Sequence, residues 1–235
     1  LKNLLEELDR NFNFVGGAIA APHKETVAVW LGRRVAEGAS KIGSVNCLYR
    51  GDDSRLWGTN TDGEGAVKCL KRFIGDLAGK SILLLGPGGA GKAVAAFSSL
   101  ELGEGGQIAL AARNPERISG FADKMGSRII EWDNIPSACS TTDVLINCTT
   151  LGATATNETG LSPVSTETLS CFPETAFIYD IIYDPSPTQL IIDSQNLDLA
   201  TLDGRCMNLE QAILGFAYAS AEPKGEAVTR KAMEE

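Results

Sequence analysis

The stretch SILLLGPGGAGKAVAA, residues 81–96, decides the fold. An apolar run of strand length comes first, a glycine-rich turn follows, and an alanine-rich segment typical of a helix comes next. In this setting the pattern G-x-G-x-x-G predicts a turn that holds the pyrophosphate of a dinucleotide. Glycine lets the backbone approach the phosphates, and amide groups at the helix start donate hydrogen bonds to them. We therefore expect the cofactor to be bound by Gly86, Gly88, Gly89 and Ala90.

The same residues come close to a second phosphate-binding motif, the P-loop. Gly86, Gly91 and Lys92 match it, but Ala93 stands where the P-loop has the Ser or Thr that binds magnesium. The missing hydroxyl counts against a nucleoside triphosphatase, which stays as the weaker alternative.

The end of the next predicted strand, 107–112, favours NADP as the dinucleotide. An NAD-binding fold has an acidic residue at this point for the ribose hydroxyls, whereas Arg suits the phosphate of NADP. Here the strand is followed by Arg113, with Arg117 one turn further. A guanidinium group matches a phosphate well, so we expect both arginines to bind the 2′-phosphate. The alternative is a solvated arginine at a strand end.

Strands and helices alternate along the rest of the chain, which predicts an α/β fold with a Rossmann-like, doubly wound parallel sheet. We expect a smaller α/β substrate domain over 1–73, the nucleotide-binding domain over 74–205, and C-terminal helices over 206–235 that return to the substrate domain. The predicted strands are 14–20, 45–49, 56–59, 81–85, 107–112, 128–131, 144–148, 177–182 and 197–202. The predicted helices are an N-terminal one, 24–36, 63–73, 88–101, 115–125, 187–194 and 207–219.

Composition excludes several classes of protein. The net charge of −9 argues against nucleic acid as a partner, and the longest apolar runs are far too short to span a bilayer. The acidic N-terminal helix does not resemble a secretory signal, so we expect a cytoplasmic protein. Six scattered cysteines without a C-x-x-C pair, and a single histidine, indicate neither a metal site nor a disulfide framework. Reduced, mostly buried thiols are expected.

Polar clusters outside the glycine turn have no obvious packing purpose. They are PHKE at 22–25, IGSVN at 42–46, GTNTDG at 58–63, NCTTLG at 147–152 and YDIIYDP at 179–185, followed by Gln211. Together with the glycine turn, their order and spacing resemble the shikimate dehydrogenase family through nearly the whole chain. The resemblance implies NADP-linked interconversion of 3-dehydroshikimate and shikimate, a small-molecule substrate, in aromatic amino-acid biosynthesis.

By motif position, the resemblance implies that Lys24 and Asp62 are the catalytic residues. A desolvated lysine can exchange the hydroxyl proton while hydride moves to or from nicotinamide, and Asp62 would orient it. The alternative is that both are surface charges at helix starts, with Asp62 capping the helix from Gly63.

The resemblance assigns binding roles to further residues. Asn46 and Gln211 match substrate contacts, and Tyr183 matches a tyrosine near the nicotinamide end of the site. Thr149 and Thr150 lie where the family lines the cofactor channel. The alternative is an ordinary role for three of these residues: Asn46 as a turn residue, Gln211 as an exposed helix residue and Tyr183 as a packed aromatic.

The chain departs from the family's pattern in two places. Ala20 replaces a threonine that contacts the substrate, and the family's Ser-x-Ser element for the shikimate carboxylate has no counterpart here. We therefore expect an incomplete substrate domain, whose missing part is disordered, lost or supplied elsewhere, with a bifunctional parent that carries dehydroquinate dehydratase as one option. A quinate dehydrogenase, an enzyme for an amino analogue, or an inactive regulatory relative stays open, and the sequence does not decide the oligomeric state.

Overall fold

The computed structural model of the chain describes residues 1–20, 22–220 and 229–232, and its strands form two sheets. The strands are β1 (Gly16–Ala18), β2 (Cys47–Arg50), β3 (Leu56–Thr59), β4 (Ser81–Leu85), β5 (Gln107–Ala112), β6 (Arg128–Glu131), β7 (Val144–Asn147), β8 (Phe177–Asp180) and β9 (Ala200–Leu202). The helices are α1 (Lys2–Arg10), α2 (Lys24–Leu31), α3 (Glu37–Ile42), α4 (Thr61–Ile74), α5 (Gly89–Glu101), α6 (Ser119–Met125), α7 (Ile135–Cys139), α8 (Thr166–Leu169), α9 (Gln189–Gln195) and α10 (Arg205–Ser220).

The larger sheet has the order β6-β5-β4-β7-β8-β9, and all its strands are parallel. The chain starts at β4 in the middle, moves to one edge, and then returns past β4 to build the other half. This is the doubly wound, Rossmann-like arrangement that the sequence predicted, and the prediction is confirmed. Because the strands are parallel, their carboxyl ends meet at one edge of the sheet.

Both faces of this sheet are buried, which explains why its strands are apolar without alternation. In β4, Ile82 and Leu84 point into one core, while Leu83 and Leu85 point into the other. The first core includes residues of α4, α5 and α10, and the second includes residues of α7, α8 and α9.

The smaller sheet is an antiparallel meander of β1, β2 and β3. Its core contains Leu5 of α1, Val27 and Leu31 of α2, and Leu48 of β2. On the other side α10 packs against β1 and β2, so the C-terminal helix returns to the smaller sheet.

Helix α4 lies between an element of the larger sheet's core and the helix that covers the smaller sheet. It packs against α5 on one side and α10 on the other. Half-buried Glu64 accepts hydrogen bonds from the hydroxyls of Thr59 (2.6 Å) and Tyr218 (3.0 Å). Burial raises the pKa of the Glu64 carboxyl, and these two hydroxyls act in the opposite direction. The start of α4 is therefore held between β3 and α10.

Several predicted element boundaries were wrong, and a residue with a positive φ accounts for two of them. The predicted helix 24–36 ends five residues early, because Gly32 ends α2 at Leu31 with a φ of +62°. Strand 14–20 shortens to β1, and strand 197–202 shortens to β9 after Asp198, whose φ is 58°. The helix predicted at 115 begins as a 3-10 turn. Helices α3, α7 and α8 were not predicted, and part of 206–235 lies outside the described residues.

The expectation of reduced cysteines was wrong for one pair. Cys69 of α4 and Cys206 of α10 form a disulfide, with their Cα atoms 6.0 Å apart. They are separated by 137 residues in the sequence, so no spacing motif could indicate the pair. The other four cysteines are free.

None of the helices within the described ranges has both the length and the apolar character that crossing a membrane requires. Across the same residues, no group of three or more His, Cys, Asp or Glu side chains is arranged to hold a metal ion.

Candidate cofactor cleft and acid–base pair

A cleft of about 500 Å³ lies at the carboxyl edge of the parallel sheet. Doubly wound sheets bind ligands at this edge, where the strand order reverses. Of the residues predicted to bind the cofactor, six line the cleft: Gly86, Gly88, Arg113, Arg117, Thr149 and Thr150. Gly89 and Ala90 are the first two residues of α5, directly behind them.

The glycine turn has the shape that a pyrophosphate requires. Gly86 has a φ of +74° and lies so close to Thr149 that a Cβ would stand 2.6 Å from its Cγ2. A Cβ at Gly91 would stand 2.4 Å from the carbonyl oxygen of Gly86, so the turn closes on itself. By contrast, Gly88 and Gly89 face open space at the N-terminus of α5. The backbone N–H of Gly88 donates to the carbonyl oxygen of Gly86 (2.7 Å). The first N–H groups of α5, from Gly89 onward, have no partner within the helix, so this cradle fits the pyrophosphate of a dinucleotide.

The loops on either side of the glycine turn carry the cleft's charged and polar walls. β5 and β7 flank β4, so the Arg113 loop lies on one side of the turn and the Thr149 loop on the other. The structure adds cleft residues that the sequence reasoning did not assign to the cofactor: Lys92, Asn114, Trp132, Cys148, Leu151 and Glu158. Asn114 was adjacent to a predicted residue, whereas Trp132 and Glu158 carried no signal in the sequence.

A buried polar network supports the Thr149 loop. Asn147 donates from Nδ2 to Oδ1 of Asp180 (3.0 Å) and accepts from the backbone and hydroxyl of Thr149 (3.0 and 2.7 Å). Asp180 also accepts from the hydroxyl of Thr188 (2.7 Å) and the backbone of Ile182 (3.0 Å). Burial raises the pKa of Asp180 to about 6, although these hydrogen bonds oppose the shift.

Lys24 and Asp62 form an ion pair, with 3.0 Å between Nζ and Oδ2. Lys24 is the first residue of α2 and Asp62 the second of α4, so two helix starts bring together residues 38 positions apart. The side chains are 32% and 22% exposed. The pair is thus partly desolvated and still accessible to a small molecule, which suits proton exchange with a substrate hydroxyl.

The alternative role for Asp62, a helix cap, is wrong. The cap of α4 is Asn60, whose Oδ1 accepts a hydrogen bond from the backbone N–H of Gly63 (3.2 Å). The Asp62 carboxylate is therefore left for Lys24.

Asn46 is buried and holds the start of α4. Its Oδ1 accepts from the backbone N–H of Thr61 (2.7 Å), and its Nδ2 donates to the Thr61 hydroxyl (3.2 Å). The backbone N–H of the preceding Val45 donates to the carbonyl oxygen of Lys24 (3.1 Å). One segment thus positions both members of the ion pair.

The ion pair lies beside the nucleotide-binding part of the chain, because α4 packs closely on α5. Gly63, the residue after Asp62, rests against Ala93 and Phe97, and Ala93 is one turn beyond the glycine cradle. Through this contact the first turn of α4 lies next to the N-terminal half of α5.

The remaining predicted residues are less closely placed. The backbone of Gln211 on α10 contacts Gly65 of α4, one turn after Asp62. Its Nε2 donates to the carbonyl oxygen of Asn208 (3.2 Å). Tyr183 lies three residues beyond β8, is 57% exposed, and does not line the cofactor cleft. Ala20 is exposed.

These features define a dinucleotide-binding α/β protein with a Lys–Asp pair beside its cofactor cleft. No protein-family model matches the chain. It is 32% identical over 225 residues to shikimate dehydrogenase (NADP(+)) of Thermosynechococcus vestitus, covering 94% of this chain and 77% of the relative. It is also 32% identical over 235 residues to quinate/shikimate dehydrogenase (NAD(+)) of Corynebacterium efficiens, covering 96% and 80%.

Among solved structures, shikimate 5-dehydrogenase from Thermus thermophilus, in complex with NADP(H) and shikimate, has a TM-score of 0.74 at 28% identity. That match covers 98% of this chain and 83% of the other. The chain belongs to the shikimate dehydrogenase family. The family resemblance predicted from the motifs is confirmed, and the NADP prediction agrees with the names of most of the similar relatives.

Proposed function

We propose that the protein is an NADP-dependent oxidoreductase that interconverts 3-dehydroshikimate and shikimate. The observation that carries the proposal is the Lys24–Asp62 ion pair beside the glycine cradle. The names of the relatives supply the substrate. Bound NADP supplies the hydride acceptor, and the chain must therefore supply the group that exchanges the hydroxyl proton.

In this proposal Lys24 exchanges that proton, and Asp62 holds the Nζ atom in position. The two side chains lie at the ends of two helices that are themselves anchored, α4 through Asn46 and Asn60. A fixed proton-exchanging group costs little reorganisation when the substrate binds. Asn46 and Gln211 would contact the substrate, and Tyr183 would border the nicotinamide end.

Arg113 and Arg117 would bind the 2′-phosphate, while Thr149 and Thr150 would line the channel toward nicotinamide. We also propose that 1–73 and 74–205 are separate domains and that 206–235 belongs with the first. The substrate would then enter between the two domains, near the ion pair.

The assembled ion pair favours an enzyme over a regulatory relative, since a binding protein has no need for a proton-exchanging lysine. Quinate is the second candidate substrate, because a relative with 32% identity is named quinate/shikimate dehydrogenase. The two substrates share the hydroxyl at which Lys24 would act.

The test is reduction of NADP, followed at 340 nm, with shikimate and then with quinate. We expect Lys24→Ala to lower kcat by about 10²- to 10⁴-fold, the usual contribution of a positioned acid or base, with unchanged affinity for NADP. The matched control is Lys71→Ala, which breaks an ion pair with Glu101 at the other end of α4.

Equal turnover by the Lys24→Ala variant and the wild type would overturn the assignment of Lys24. Wild-type protein that binds NADP and shikimate without any absorbance change would instead favour the regulatory relative.

A further inference from the structure

Glu158 is the acidic residue of the cofactor cleft, on the wall opposite the arginines. It belongs to the loop after β7, whereas Arg113 and Arg117 belong to the loop after β5. Because β4 separates these strands, the glycine turn lies between the two loops. The cleft thus has a cationic wall and a wall that carries a carboxylate.

The position of Glu158 is built into its loop. Its backbone N–H donates to the carbonyl oxygen of Ala153 (3.1 Å), and its own carbonyl oxygen accepts from Gly152 (3.1 Å) and Leu161 (3.0 Å). The preceding Asn157 has a φ of 57°, which turns the chain back toward the cleft. The loop therefore presents Glu158 in one orientation.

The carboxylate is also held by two side chains. Its Oε2 accepts hydrogen bonds from the hydroxyls of Thr150 and Thr156, each at 2.8 Å. These bonds, with the nearby charge of Arg113, lower the pKa of Glu158, so it is ionised at neutral pH. Thr150 is itself a cleft residue, and its hydroxyl proton is directed to Glu158.

We propose that Glu158 is a specificity-determining residue, whose carboxylate disfavours a 2′-phosphate on the cofactor and so limits the preference for NADP over NAD. The inference rests on the proposed function and concerns the same cleft. A 2′-phosphate bound by Arg113 would bring a second anion toward a carboxylate that is fixed in place. The phosphate would also compete with Glu158 for Arg113 and for the Thr150 hydroxyl. The 2′-hydroxyl of NAD is uncharged, so Glu158 neither repels it nor competes with it for Arg113.

The test compares two fragments of the cofactors, 2′,5′-ADP and 5′-ADP, which differ in where the second phosphate lies. Their dissociation constants are measured by calorimetry for the wild type and for Glu158→Gln. Glutamine keeps an oxygen that accepts from both threonines, so the loop keeps its hydrogen bonds while the charge is lost. The control, Glu104→Gln, removes the same charge from an exposed site beyond the far end of α5.

We expect Glu158→Gln to tighten binding of 2′,5′-ADP by about three- to tenfold, with the affinity for 5′-ADP changed by less than about twofold. The gain should shrink as salt rises from about 0.05 to 0.5 M, because screening weakens repulsion between charges. A purely structural effect of the substitution would lack this salt dependence. Glu104→Gln should change neither constant.

Two results would count against the inference in different ways. If both fragments bind the wild type and Glu158→Gln leaves their ratio unchanged, the role of Glu158 is wrong and the proposed function survives. If neither fragment binds the wild type, the cofactor cleft and the proposed function fail together, and the inference fails with them.

Discussion

The backbone of Gly63 lies directly against the carbonyl oxygen of Ala93. A Cβ at Gly63 would stand 2.7 Å from that oxygen and 2.4 Å from Cδ2 of Phe97. The two helices α4 and α5 can approach this closely only because residue 63 has no side chain. The contact brings the start of α4, with Asp62, alongside the helix that follows the glycine turn.

Gly63→Ala should therefore destabilise the protein by about 1–3 kcal/mol, the usual cost of adding atoms to a packed contact. The Ala93 carbonyl belongs to the helix backbone and cannot move aside. The matched control is Gly120→Ala in α6, where a Cβ meets open space, and it should be neutral or stabilising by up to about 1 kcal/mol. Denaturant unfolding measures both, and equal effects would contradict the close approach of α4 and α5.

Asn46→Ala should lower both stability and catalytic efficiency. It removes the acceptor for the buried N–H of Thr61, and such an unsatisfied donor costs about 1–3 kcal/mol. The start of α4 would then loosen and misplace Asp62, so kcat/KM for shikimate should fall while the affinity for NADP stays the same. Asn196→Ala, at the exposed end of α9, is the control and should alter neither quantity. A fall in NADP affinity as large as the fall in kcat/KM would argue against this role.

Asp180 should make stability depend on pH below neutrality. Its pKa is raised from 3.8 to about 6 in the folded protein, so between these values the folded state binds more protons than the unfolded state. Stability contributed by this group is therefore complete below about pH 4 and is lost as pH rises to about 6. At 1.36 kcal/mol per pKa unit, the loss is about 3 kcal/mol.

The measurement is the difference in unfolding free energy between the wild type and Asp180→Asn from pH 3 to 7. Relative to the wild type, the unfolding free energy of the variant should rise by about 3 kcal/mol from pH 3 to 7, because its amide does not ionise. A difference that is constant with pH would show that burial does not raise the pKa of Asp180.

The disulfide between Cys69 and Cys206 predicts a thiol count. Protein purified without reductant and unfolded in denaturant should react with iodoacetamide at four cysteines, and at all six after reduction. Reduction should also lower the unfolding free energy, by roughly 2–4 kcal/mol for a typical disulfide. Six reactive thiols without reductant would mean that α4 and α10 are held by noncovalent contacts alone.

The local features of this protein were predictable from its sequence. The strand Ser81–Leu85, the glycine turn and the arginine at residue 113 each depend on neighbouring residues, through backbone sterics and a strand's apolar character. Such patterns predict local structure without information about the rest of the chain. The parallel sheet followed from the alternation of strands and helices, and the family from the order of its motifs.

Element ends were less predictable, because they depend on single residues with a positive φ. The helix from Lys24 stops at Gly32, yet glycine also occurs inside α4 and α5. There, at Gly63 and Gly91, the neighbouring elements come so close that only glycine fits. Sequence alone does not distinguish a glycine that ends a helix from one that lets a neighbouring element pack closely against the helix.

Contacts between distant residues were decided by the tertiary structure. Lys24 meets Asp62 because Asn60, rather than Asp62, caps α4, and Cys69 meets Cys206 because α10 returns to pack on α4. Glu158 enters the cofactor cleft only because β7 lies next to β4. These distances are set when whole cores pack, since close packing allows few arrangements of the helices and no local pattern encodes them.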